Sequence, residues 1–143
     1  MVDKSKLLSL FPGILGIAGL AAPAGFSVDV ALWMFGLFAS SHEVGFFDIN
    51  DTRPVYVFSY IAGSVVFAVG IVLFFLAAFS KLKLGKASWL PGTMMLAGCG
   101  MFMIAGFELF MVWEGVYPVG ICFSIVGSIW ALVTEIKALQ RAK

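Results

Sequence analysis

Residues 55–79 read VYVFSYIAGSVVFAVGIVLFFLAAF, and this stretch contains no charged side chain. A helix needs about 20 predominantly apolar residues to cross the hydrocarbon layer of a membrane, so the stretch predicts a transmembrane helix. The chain of 143 residues is 62% hydrophobic and 12% charged, whereas a typical soluble domain is about 45–50% apolar and about 25% charged. A domain of this size cannot bury so much apolar surface, and we expect the excess to face lipid.

Three further apolar stretches flank this one. The predicted spans are 7–28, 55–79, 89–112 and 116–134. Pro12 and Pro91 are predicted to lie in the first turns of spans one and three, where a missing N–H costs little, and Pro23 is expected to kink the outer end of span one. The first stretch imitates a secretory signal peptide, but we expect a retained span. The predicted fold is all-α, with residues 1–143 forming a single four-helix transmembrane bundle.

Residues 29–54 form the longest polar region, yet they contain an apolar patch at 30–38. Two interpretations compete for this patch. It is either a short helix or strand lying at the membrane surface, or a continuation of span one. A straight helix over residues 7–38 would be roughly 48 Å long at about 1.5 Å per residue, whereas the hydrocarbon layer is about 30 Å thick. The surface element is therefore the favoured prediction.

Basic residues are distributed unevenly between the two sides of the predicted bundle. Lys and Arg concentrate in cytoplasmic loops, so both termini and the 81–86 segment are predicted to be cytoplasmic in a multi-pass integral membrane protein. That segment could also attract anionic lipid. The net charge of +1 argues against a nucleic-acid partner, which requires a basic face. One side carries Lys4, Lys6, Lys81, Lys83, Lys86, Lys137, Arg141 and Lys143, and the other carries only Arg53.

Pairs of similar segments raise the possibility of an internal duplication. SLFPG at 9–13 resembles SWLPG at 88–92, and the Ala-Gly pair at 18–19 recurs at the same offset of 79 residues. At a different offset, Phe-Ser and Gly-Ser pairs in 58–64 resemble those in 123–128. Two duplicated hairpins would form parallel repeats. Chance is the alternative, because apolar spans draw on few residue types.

Glycine is abundant, with 16 residues. Gly13, Gly16 and Gly19 recur every three residues in span one, and Gly127 lies between small residues in span four. Small residues let membrane helices approach closely, so these four glycines are predicted to lie at helix–helix contacts. The contacts could lie within one bundle or between subunits, and a homo-oligomer or a larger membrane complex is the expected assembly, with membrane lipids as further partners.

Glu108 is the acid that lies well inside a predicted span. Ionisable residues within a membrane are energetically expensive and are candidates for function. We predict that Glu108 faces protein and makes a structural polar contact. A role in ion or proton movement is the alternative, although a single acid makes a poor relay.

The outer loop holds other candidate residues. Asn50 begins an Asn-Asp-Thr sequon and is a possible glycosylation site. His42, Glu43, Asp48 and Asp51 carry metal-ligand side chains, but their spacing fits no known metal loop, so no metal or cofactor is predicted. The two cysteines, Cys99 and Cys122, lie in apolar runs and are expected to be free thiols.

The layout of four spans, inside termini, a long first outer loop and a short second one resembles the claudin and peripheral myelin protein group of tetraspan membrane proteins. Trp33 and the Gly36-Leu37-Phe38 segment are similar to that group's loop signature, whereas its loop cysteine pair is missing here. The resemblance implies a structural, adhesive or accessory role. We therefore predict a non-enzymatic structural or accessory membrane protein. The alternative is a small transporter or channel subunit with Glu108 lining the pathway.

Overall fold

The computed structural model describes residues 4–22, 25–26, 31–32, 54–79, 82–112 and 119–141. These residues form two short strands, one turn of 3-10 helix at Gly85–Ala87, and four long helices. The prediction of an all-α fold with four helices is confirmed at this level. The helices are α1 (Lys4–Ala21), α2 (Pro54–Ala78), α3 (Leu90–Val112) and α4 (Val119–Arg141), and the strands are β1 (Gly25–Phe26) and β2 (Ala31–Leu32).

Helix α1 differs from predicted span one at both ends. It begins at Lys4 and ends at Ala21, whereas the prediction ran to residue 28 with a kink at Pro23. Proline has no N–H to continue a helix, and the residue before it disfavours the helical conformation, so the chain leaves the helix just before Pro23. The earlier start also places Pro12 in the helix interior rather than in the first turn.

A short β-hairpin follows α1. Gly25 pairs with Leu32 and Phe26 with Ala31 in antiparallel register. A helix that continued from α1 to residue 38 is incompatible with this pairing, so that interpretation of the 30–38 patch was wrong. Residues 33–53 lie outside the described residues, and with them the remainder of the patch.

The other helices lie close to their predicted bounds. Helix α2 begins at Pro54, a position where proline is favoured because the first helical N–H has no partner. Helix α4 extends through Arg141, seven residues beyond the predicted end of span four. Within the described residues, three helices are long and apolar enough to cross a membrane, in the stretches Ile61–Ala78, Gly85–Ile104 and Gly120–Arg141. The apolar part of α1, Lys6–Ala21, is shorter.

Contacts between neighbouring helices follow the order α1, α4, α3, α2 and back to α1, and each helix runs antiparallel to its neighbours. Most packing joins α2 to α3 and α1 to α4, while α1 and α2 touch least. Phe67, Met95 and Phe102 are fully buried between α2 and α3. Many apolar side chains on the outside of the bundle are exposed, among them Ile61, Val72 and Ile104, as a surface in contact with lipid requires.

The two strongest interfaces use equivalent contacts. A Cβ atom placed on Gly19 of α1 would lie 2.9 Å from the backbone N of Ser124 and 3.0 Å from the O of Gly120. A Cβ atom on Gly98 of α3 would lie 2.5 Å from the N of Phe67 and 2.7 Å from the O of Gly63. The offset from α1 to α3 is 79 residues and the offset from α2 to α4 is 57 residues, and both contacts obey these two offsets.

A second set of contacts follows the same offsets. Gly127 faces the O of Pro12 and the N of Gly16, while Gly70 faces the O of Pro91 and the N of Met95. The α1–α2 hairpin and the α3–α4 hairpin are thus related by a pseudo-two-fold axis. The offset of 79 agrees with the sequence pattern. The sequence similarity aligned Gly63 with Gly127. In the structure Gly127 corresponds to Gly70, so that alignment was wrong by seven residues, about two helical turns.

Candidate functional site

The glycines predicted to mediate helix contacts lie where α1 meets its two neighbours. A Cβ atom on Gly13 would lie 2.7 Å from the ring of Phe75 on α2. A Cβ atom on Gly16 would lie 3.0 Å from the side chains of Ile71 and Met95. Gly19 faces Ser124 and Gly120 on α4. The first two neighbours are side chains that could shift, whereas Gly19 also faces backbone.

Gly127 makes the corresponding approach from α4 to α1. A Cβ atom there would lie 2.9 Å from the carbonyl O of Pro12 and 3.0 Å from the Cβ of Leu15. Pro12 is fully buried in this contact. Proline within a helix removes one backbone hydrogen bond. Here Pro12 of α1 faces Gly127 of α4, which has no side chain, and the two helices approach closely at this point.

Gly63 and Gly98 are among the close-contact glycines that the sequence did not predict to mediate helix packing. Gly63 and Gly98 face each other across α2 and α3, and Cβ atoms on either would fall within 3 Å of the other's carbonyl O. Gly98 lies 79 residues after Gly19, which is the offset of the suspected internal duplication. This offset could have identified Gly98 from the sequence as a second contact glycine. Gly63 is not distinguishable from sequence because its importance depends on the helix pairing.

A row of small polar side chains runs along the buried face of α4. Ser124 and Ser128 are completely buried. The Ser124 hydroxyl donates to the carbonyl O of Gly120 at 3.0 Å, and the Ser128 hydroxyl donates to the carbonyl O of Ser124 at 2.6 Å. The Sγ atom of Cys99 on α3 lies 3.7 Å from the Ser128 Oγ atom. In the other hairpin the positions equivalent to Ser124 and Ser128 are Phe67 and Ile71, so this polar row breaks the two-fold symmetry.

Glu135 continues the same face of α4, since it lies seven residues, or about two turns, beyond Ser128. Its Oε2 atom accepts a hydrogen bond from the backbone N–H of Gly92, with an N–O distance of 3.0 Å. The predicted span four ended at residue 134, so Glu135 was not among the candidate residues. The helical spacing of Glu135 from Ser124 and Ser128 could have identified it from the sequence as a residue on the same face of the helix.

Both termini of the bundle and the α2–α3 connection meet at the end of the molecule that carries Glu135. The described basic side chains at this end are exposed, namely Lys6, Lys83, Lys86, Lys137 and Arg141. Glu135 is partly buried at this same end of the bundle. The two cysteines are free, with Cys99 buried and Cys122 exposed.

Two predicted site residues cannot be placed in detail. Glu108 belongs to α3, but its side chain lies outside the described residues, as does the whole of Asn50. His42, Glu43, Asp48 and Asp51 lie outside them as well. Among the residues that are described, no three His, Cys, Asp or Glu side chains gather as a metal site.

No protein-family model matches the chain, and comparison with curated proteins and with solved structures finds no significant match. The geometry therefore carries the functional argument alone. It consists of closely packed glycine contacts, a buried hydroxyl row and one interhelical carboxylate.

Proposed function

We propose that this chain is a four-span integral membrane protein, with cytoplasmic termini, that acts without catalysis as a structural or accessory component. The observation that carries the proposal is the backbone-to-backbone packing at Gly19, Gly63 and Gly98. Contacts this close leave little freedom for the helices to slide or separate. A rigid bundle with a continuous apolar exterior suits a protein that works through its lateral surface and outer loop.

The packing of α1 against its neighbouring helices supports the proposal that α1 lies within the membrane layer. Helix α1 is packed along α4 and against α2, and both of these helices contain candidate membrane spans. Its apolar side chains Leu8, Ile14 and Ile17 are exposed at 64%, 41% and 49%. Eighteen helical residues extend about 27 Å, close to the thickness of the hydrocarbon layer.

The orientation is supported by charge. Every described Lys and Arg lies at the end of the bundle where α1 begins and α4 ends. Such clustering favours the cytoplasmic side, and it agrees with the distribution of basic residues in the full sequence. The resemblance to the claudin and peripheral myelin protein group belongs to this proposal too, since it rests on the same layout.

A test of the accessory role uses the lateral surface directly. A photo-crosslinking amino acid is placed at Ile104, which is 56% exposed, and in a matched control at Phe67, which is 0% exposed. We expect crosslinks to a second copy or to another membrane protein from position 104 and only intrachain products from position 67. Intact mass measurement in mild detergent identifies the partner. A chain that remains at 15.4 kDa, with no intermolecular crosslink from position 104, contradicts an assembly role.

The second candidate is a small transporter or channel subunit in which Glu108 lines the pathway. The row formed by Ser124, Ser128 and Cys99 favours it, because buried polar groups in a membrane interior frequently line ion or proton routes. The serine hydroxyls already bond to backbone carbonyls of their own helix, which is an ordinary structural use of serine. Ion or proton flux in liposomes containing the purified chain would favour this candidate over the accessory role.

A further inference from the structure

An apolar groove of about 410 Å³ lies between α1 and α2, the least tightly packed pair of neighbouring helices. Its walls are Ile17 and Leu20 on α1 and six side chains between Ala68 and Phe79 on α2. Cavities of about 300–1,000 Å³ with predominantly apolar walls are typical of sites for small ligands. The groove is open along one side, and in the proposed membrane orientation that side faces the acyl chains of the bilayer.

The pseudo-two-fold axis explains why this side of the bundle is open. In the other hairpin, the positions equivalent to Leu20 and Ile71 are Cys99 and Ser128, whose polar atoms contact each other across α3 and α4. The hydrogen bond between Glu135 and Gly92 closes the same helix pair at its end. The side chains of Leu20 and Ile71 have no polar atoms, so the polar contact between Cys99 and Ser128 has no counterpart at this position between α1 and α2.

Positive charges lie at one end of the groove. Lys6 is exposed and shares a helix face with Gly13, Ile17 and Leu20, because these residues are separated by seven, eleven and fourteen positions from it. At the end of α2, the N–H of Leu82 donates to the carbonyl O of Leu76 at 3.1 Å.

Leu76 is also one of the residues that line the groove, so this hydrogen bond ties the chain after α2 to the last turns of the helix beside the groove. Lys83, the next residue, is exposed. Lys6, near the start of α1, and Lys83, just after α2, therefore belong to the same end of the α1–α2 pair as Phe79.

We propose that the α1–α2 groove binds one acyl chain of an anionic phospholipid whose headgroup is held by Lys6 and Lys83. The apolar walls select the chain, and the two ammonium groups select a negatively charged headgroup. This site requires only that the bundle lies in a membrane, and it is independent of whether the protein is accessory or a transporter.

The headgroup is tested with the full chain in mild detergent, by intact mass measurement after addition of phosphatidylglycerol or phosphatidylcholine with identical chains. We expect one retained lipid per chain and a preference for phosphatidylglycerol. A lysine near a membrane surface contributes about a fivefold preference for anionic lipid. The Lys6→Gln and Lys83→Gln variants should each lose about that factor, whereas Lys137→Gln, at the same end on α4, should keep it. Equal retention of the two lipids would overturn the proposal.

The groove itself is tested by filling it. Ala68 lines the groove, whereas its neighbour Val69 is not among the lining residues and is 42% exposed. Ala68→Trp should lower lipid retention at least about fivefold, which corresponds to about 1 kcal/mol, and Val69→Trp should match the parent. If the Ala68→Trp variant loses helical content, the Ile17→Trp variant, which fills the groove from the opposite wall, is tested in its place. Undiminished retention in a folded groove variant, or a second protein copy bound in place of lipid, would refute the site.

Discussion

Glu135 on α4 accepts a hydrogen bond from the backbone N–H of Gly92 in the first turn of α3, at 3.0 Å. The first N–H groups of a helix have no partner within that helix, and the helix dipole favours a negative group beside them. One helix of the bundle thus supplies the cap of another. The close approach depends on Gly92, because a Cβ atom there would lie 2.7 Å from the backbone of Leu132.

Removal of this carboxylate should destabilise the bundle. Loss of a helix cap typically costs about 0.5–2 kcal/mol, so Glu135→Ala should lower the free energy of unfolding in detergent by about that amount. Glu135→Gln retains an acceptor oxygen and should lose less. Lys137→Ala, an exposed change on the same helix, is the control. An unfolding curve for Glu135→Ala that coincides with that of the parent would show that the hydrogen bond contributes nothing.

Alanine substitutions at two glycines of α3 should differ sharply. Gly98→Ala brings a methyl group to 2.5 Å from the N of Phe67, whereas Gly100→Ala meets nothing within 4 Å. Overpacking typically costs about 1–3 kcal/mol, while an alanine at an open helical position is neutral or stabilising by up to about 1 kcal/mol. Thermal unfolding in detergent should therefore show a lower midpoint for Gly98→Ala alone. Equal midpoints would disprove the close packing of α2 and α3.

The equivalent change in α1 should be milder and partly reversible. A Cβ atom on Gly19 meets the Ser124 hydroxyl first, and the backbone atoms lie further away, at 2.9 and 3.0 Å. Gly19→Ala should therefore destabilise less than Gly98→Ala, and Ser124→Ala added to it should recover part of the loss. A double-mutant cycle measures this coupling. Strict additivity of the two substitutions would mean that Gly19 and Ser124 are not in contact.

The sequence predicted the helices well because apolar length is a strong signal. The bounds of α2 and α3 agree with spans 55–79 and 89–112 to within one residue. The end of α1 was predicted wrongly because residues 22–28 remain apolar after Ala21. The hydropathy of the sequence therefore does not change where the helix ends. The extension of α4 to Arg141 was missed for the opposite reason, since charged residues stay helical once they lie outside the hydrocarbon layer.

The contacts between helices could be predicted only in part. The packing role of Gly13, Gly16, Gly19 and Gly127 could be predicted because it depends on the small size of glycine, which is known from the sequence alone. The pairing of Glu135 with Gly92 depends on how far α4 slides along α3, and neither hydropathy nor glycine spacing fixes that distance. The sequence similarity between spans two and four was misaligned by two turns for the same reason. Helices with little polar variation offer many nearly equivalent alignments.

The distribution of basic residues predicts the topology. A reporter that is active only in the cytoplasm should be active when fused to the C-terminus and silent when inserted at residue 45. Eight basic residues on one side against Arg53 on the other give the physical reason, since Lys and Arg are retained on the cytoplasmic side. Activity at residue 45 with silence at the C-terminus would reverse the orientation, and activity at both would require an even number of spans between residue 45 and the C-terminus instead of three.

Glu108 separates the structural role from the transport role. A charged acid near a bilayer centre costs about 2.5–3.5 kcal/mol on insertion scales, so the residue is expected to have a polar partner in the protein. A structural contact predicts that Glu108→Gln keeps the fold and assembly, because the amide still forms hydrogen bonds. It also predicts that Glu108→Leu weakens both by leaving the partner unpaired, at about 1–3 kcal/mol.

A transport role predicts a different result for the same variants. Glu108→Gln would fold and assemble like the parent, yet ion or proton flux into liposomes would disappear. Glu135→Gln, which removes the acid of α4 instead, is the control for the loss of one negative charge. We expect liposomes containing the parent to show no more flux than empty liposomes, and Glu108→Leu to lower the unfolding midpoint below that of Glu108→Gln. Flux in the parent that Glu108→Gln abolishes and Glu135→Gln preserves would replace the accessory role with transport.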